Sequence, residues 1–246
     1  MKQHSTVLML AARSSIYTLI ALMALMAGAE AILFGWALHR GLPAENYSLE
    51  AMLEQSWVII PFYIVLALTT ILLCRTGSPT GSRPHYTLAR LSVPLWAVYC
   101  WQWLYNTLCY LVLYAAQAAV MLRLCVWYTR TAEPTSVTGQ TIFLACYRSE
   151  ILHGFVPLQN TVIWLRNLIV IIGLGAAAAA APIRRQKGKK ETVALGMVCA
   201  AMAWQKAELG DFILPTFAIL TAVGITLWSC LSAATCTPIG EVDEDA

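Results

Sequence analysis

Glu30 and Arg166 each sit inside a long apolar stretch of a 246-residue chain. A lone charge in hydrocarbon costs about 2.5–3.5 kcal/mol or more, so each needs a partner or a wet cavity. At ~1.5 Å per helical residue, Glu30 lies ~12 Å from the end of its stretch and Arg166 ~7–8 Å from the start of its own. Those depths predict either a structural ion pair between the two or a site for a cation or substrate. A third stretch carries Gln102, Asn106 and Cys109 at helical spacing among Trp96, Tyr99, Trp101, Trp103, Tyr105, Tyr110 and Tyr114. Gln102 and Asn106 are conduit candidates for an amphiphilic substrate; hydrogen bonds that join helices explain the same pattern.

Several chemistries find no residues. There is no H-E-x-x-H motif and no aspartate pair in the apolar stretches. His4, His39, His85 and His153 all fall outside them, leaving no base to activate a buried serine. No catalytic residue, metal site or cofactor is therefore expected, and the chain does not read as an enzyme. The eight cysteines form no C-x-x-C pair and no His-Cys cluster. Cys125 and Cys146 both fall in a predicted external loop, either as a disulfide or as two thiols. Lys187-Gly188-Lys189-Lys190 lacks the preceding glycine and the Ser/Thr of a phosphate loop, so the chain cannot hydrolyse ATP by that device alone.

The elements that must position these residues are helices in a bilayer. Hydrophobic residues make up 59% of the chain and charged residues 12%, which excludes an ordinary soluble domain. A hydrocarbon core of roughly 30 Å needs about 20 helical residues. Apolar runs predict six transmembrane helices at about 16–38, 57–74, 95–119, 161–181, 192–204 and 212–233, the second near the lower length limit and the fifth short. The fold class is all-α, a polytopic membrane protein forming one transmembrane domain over residues 1–246. Lys2 to Arg13, the apolar run and Ala27-Gly28-Ala29 resemble a signal peptide, but the run continues through Trp36-Ala37-Leu38, so the first helix is expected to be retained.

Lys2, Arg13, Arg75, Arg83, Arg90, Arg184, Arg185, Lys187, Lys189 and Lys190 fall on one side of these spans. Arg40, Arg123, Arg130, Arg148 and Lys206 fall on the other. The positive-inside rule then places both termini in the cytoplasm, in a plasma membrane. The run from Arg184 to Lys190 follows a membrane helix directly and reads as a topology anchor, not a nucleic-acid site.

Arg123 to Asn160 is the longest segment predicted outside the spans. Within it, residues 140–155 place Phe143, Tyr147, Ile151 and Phe155 four apart, with Glu150 and His153 in other directions. That spacing predicts one amphipathic outer helix, flat at the interface or capping the bundle. Ala27, Ala31 and Gly35 are spaced by four, as are Gly173, Ala177 and Ala181. Such faces let helices approach closely, within the chain or in a homo- or heterodimer.

Thr87-Leu88 is followed by Leu91-Ser92-Val93 and then by the long third span. With six spans, internal termini and no nucleotide site, this run resembles the membrane subunit of type-two ABC exporters, which carry a T-L-x-x-L-P-[IV]-S run there. The proline of that run is absent here. The resemblance implies a separate ATP-binding subunit, with Tyr86, Thr87, Leu88 and Leu91 as its docking candidates, and no nucleic-acid partner. A substrate-binding, sensory or assembly subunit without its own conduit is the alternative, since such subunits also use small residues spaced by four.

Overall fold

The computed structural model describes residues 2–41, 48–75, 95–132, 139–158, 160–186, 192–205 and 213–235. Within them the chain is helical, with no strand: α1 (Lys2–Gly41), α2 (Leu49–Gln55), α3 (Ile59–Arg75), α4 (Leu95–Thr131), α5 (Thr141–Arg148), α6 (Glu150–Phe155), α7 (Thr161–Gln186), α8 (Thr192–Trp204) and α9 (Ile213–Ala234). This is an all-helical membrane protein. Parts of α1, α4, α7 and α9 are long and apolar enough to cross a bilayer, and α2 with α3 adds a fifth candidate bent by 47°. Trp57 makes that bend with φ 55°, a left-handed conformation uncommon for a bulky residue. The thirteen residues of α8 span only about 20 Å.

Contacts fix the direction of each pass. The Ser15 hydroxyl meets the Tyr105 hydroxyl at 2.7 Å, and Gly35 abuts Trp127, so α1 and α4 run parallel. Phe62 packs edge-on against Tyr114 while Tyr110 donates to Thr70 at 2.8 Å, so α3 runs against α4. Gly173 touches Ala222 and Arg184 lies over Trp228, which makes α7 and α9 parallel. Two parallel neighbours joined through α8 require α8 to return across the same depth. The expected alternation is therefore present, although α8 is too short to cross a full bilayer alone.

The central pass is α7. It buries 67% of its most apolar window, against 17% for α1 and 22% for α9, which leaves α1 and α9 broadly open to lipid. The unbroken row Ala176 to Ala181 is buried because small side chains let α4, α8 and α9 close on α7. At the tightest point, Gly175 lies against the backbone and hydroxyl of Thr107, where any Cβ would collide.

Two expectations are corrected beyond the bundle. Arg123 and Arg130 do not lie in a loop, because α4 continues to Thr131. Met121, Leu124, Cys125 and Tyr128 keep a buried face there, and no proline or glycine interrupts it. The predicted outer helix over 140–155 is two helices, broken at Ser149 with φ −76° and ψ 122°. The break exposes Phe143 and Tyr147 and turns His153 inward, contrary to the single stripe. The pair packs as a cap on α2 and α4, sharing a second core with Phe34, Leu38, Met52 and Met121.

Candidate functional site: two buried polar centres

The first centre is built on Arg166, which is 1% exposed. Its position in the second turn of α7 brings it beside the C-terminal ends of α6 and α8. One guanidinium nitrogen, Nη1, donates to the Trp204 carbonyl at 2.7 Å. Nη2 donates to Asn167 Oδ1 at 2.9 Å and to the Gly154 carbonyl at 3.5 Å, and Nε donates to Asn167 Oδ1 at 3.2 Å. Asn167 in turn donates to the Gly154 carbonyl at 2.8 Å. Helix C-termini leave unpaired carbonyls and carry partial negative charge, so a guanidinium suits this convergence. Tyr63 serves the same end of α8, donating to the Met202 carbonyl at 3.4 Å. Gly154 permits the approach: a Cβ there would strike the Gln205 carbonyl. Tyr114 closes the centre by donating to Gln205 Oε1 at 3.1 Å.

His153 borders this centre from the cap. It is buried, with its ring edge-on to Tyr147, and Nδ1 has no hydrogen-bond partner among the described residues. Burial lowers its pKa below 6.5, the Arg166 charge lowers it further, and the Cys146 backbone opposes both. The imidazole is therefore neutral at neutral pH. The buried stripe predicted for this segment did not include it, because the break at Ser149 is what turns it inward.

The second centre is Glu30 with Gln117, both 0% exposed. Met26, Glu30, Phe34 and Leu38 form the buried edge of α1, four residues apart, and Gln117 belongs to the matching face of α4. The two side chains face one another closely enough to interact. Yet both carboxyl oxygens of Glu30, and the oxygen and nitrogen of the Gln117 amide, lack a hydrogen-bond partner among the described residues. Buried polar atoms are normally satisfied, so these four stand out, as do single atoms of Thr69, Thr107, Ser149, His153, Gln205 and Ser229. An acid beside an amide offers acceptors to a cation or an amine and a donor to an oxygen.

The expected ion pair between Glu30 and Arg166 is not formed. Arg166 faces backbone carbonyls and Asn167, and Glu30 faces Gln117. Each is carried by a different neighbour of α4, Glu30 by α1 and Arg166 by α7. The sequence singled out Glu30 but missed Gln117, whose only signal was an amide in an apolar run.

Gln102 and Asn106 are buried on α4, at the helix interfaces, as is Cys109. Neither amide lines the cavities found at the α1–α4, α4–α7 or α3–α8 contacts. The aromatic residues of α4 join helices through their polar tips: Trp103 donates to the Ile172 carbonyl at 3.1 Å, and Tyr105, Tyr110 and Tyr114 pair as given above. Cys125 and Cys146 are buried thiols in the same core. No group of three or more His, Cys, Asp or Glu among the described residues could hold a metal ion. The docking candidates Tyr86, Thr87, Leu88 and Leu91 lie outside the described residues. No protein-family model, curated protein or solved structure matches this chain.

Proposed function

We propose that this chain is the membrane-spanning permease subunit of an ATP-driven transporter, with ATP hydrolysis on a separate chain. The observation that carries the reading is the Glu30–Gln117 pair, fully buried between two apolar helices and without a completed hydrogen bond among the described residues. Keeping an unsatisfied acid there costs stability, a cost that makes sense if the acid holds a cation or hydrogen-bonding solute in transit. The alternating passes, the missing phosphate loop and the run Thr87-Leu88…Leu91-Ser92-Val93 support the ATP-driven form. On this reading Tyr86, Thr87, Leu88 and Leu91 dock the ATPase, and both termini face the cytoplasm at the plasma membrane.

One observation favours a second reading, a substrate-binding, sensory or assembly subunit without its own conduit. The contact of Gly175 with Thr107 and the buried row Ala176 to Ala181 fill the space between α4, α7 and α9. Any path then runs on the α1–α4 side or between subunits.

Isolation in mild detergent with crosslinking separates the two. The permease reading expects an ATPase to co-purify, to be lost with Leu88→Asp plus Leu91→Asp, and to stay bound but lose transport in Glu30→Gln. Absence of any ATPase in the crosslinked preparation would leave the second reading.

A further inference from the structure

We propose that the groove between α1 and α4 holds an anionic phospholipid, its phosphate on Arg123 and Arg130 and an acyl chain along Ala27, Ala31 and Ala119. The inference is independent of the transport reading. The groove encloses about 480 Å³, and these five residues line it with Val120, Leu124, Val126 and Trp127. Its floor is apolar and shallow because alanines stand where longer side chains would fill it.

The two arginines are seven residues apart on α4, two helical turns, and therefore share a face. Both are exposed, and no ion pair or hydrogen bond engages either one among the described residues. Two other helix-end arginines are occupied: Arg40 lies over Trp36 at 3.9 Å and Arg184 over Trp228 at 4.2 Å. No acidic residue among the described ones lines the groove. Exposed Trp36, Trp127 and Trp164 stand near this end of the bundle, as tryptophans do at a membrane–water boundary.

An apolar trough ending in two exposed cations matches an amphiphile with a negative head. A second copy of the chain fits less well. Gly35, the last member of the small-residue row, is already covered by Trp127, whose ring a Cβ there would meet at 3.0 Å, so a partner helix cannot lie along the whole row.

The test uses the full chain in phosphatidylcholine vesicles doped with spin-labelled phosphatidylglycerol or spin-labelled phosphatidylcholine. The motionally restricted fraction of each label reports its affinity. The wild type is expected to prefer phosphatidylglycerol, by about fivefold for each arginine engaged. Arg123→Gln with Arg130→Gln should remove the preference, and Arg184→Gln should leave it. Ala31→Trp should also abolish it while both arginines remain, because the trough is filled.

Equal restriction of both labels by the wild type overturns the proposal without any variant having to fold. So does a preference that survives the double arginine substitution. Glycerol phosphate displacing the labelled lipid at equal concentration would show a bare phosphate site, and particles that halve in mass with Ala31→Trp would show a subunit interface; either result also overturns it.

Discussion

Arg166 and Glu30 are both buried charged-type residues at similar levels along α4, near Tyr114 and Gln117 respectively. Their surroundings differ completely. Around Arg166, two helix ends and an asparagine supply acceptors, and the centre ties α6, α7 and α8 together. Around Glu30, the Gln117 amide is close enough to interact, but neither side chain completes a hydrogen bond among the described residues. A satisfied centre is a fastening, and removing it exposes its partners' needs. An unsatisfied one weakens the fold, so removing it should stabilise.

The largest expected effect tests the fastening. Arg166→Met orphans the Trp204 carbonyl and Asn167 Oδ1, at about 1–3 kcal/mol for each buried acceptor. Thermal unfolding in detergent should show a loss of about 2–6 kcal/mol on that basis. A near-neutral result would mean the carbonyls have another donor.

Glu30→Leu should have the opposite sign. Replacing an unpaired buried polar group with an apolar one is expected to raise stability by about 1–3 kcal/mol while abolishing any transport. A large loss of stability instead would show that Glu30 is a fastening too, and the contrast between the centres would collapse.

The smallest effect sharpens the boundary of the Arg166 centre. His153 has its pKa lowered from 6.5, so the unfolded chain binds the proton more readily than the folded one. Stability should be fully present above pH 6.5 and decline as pH falls below it. His153→Gln should flatten that part of the profile of melting temperature against pH.

The sequence revealed these elements unevenly. Apolar runs located every long apolar helix, and marked 192–204 as short, because hydrocarbon demands a continuous composition. The upper third of α4 was hidden, since Arg123 and Arg130 look like loop residues until their groove is seen. The partners of Arg166 were hidden for a more basic reason. They are mostly backbone carbonyls, which every residue carries, so no letter announces them. Glu30 stood out by its charge, whereas its link to Gln117 depends on the register of two helices.

Helix α8 has a consequence for where this protein can reside. Its thirteen residues reach about 20 Å, some 10 Å less than a typical hydrocarbon core. The Arg166 and Tyr63 bonds to its last carbonyls cover one end of that deficit. Around α8 the membrane must thin or its neighbours must shield the ends, at a fraction of a kcal/mol for each ångström of mismatch. A full crossing by α8 would thus make lipid thickness a variable acting on this fold.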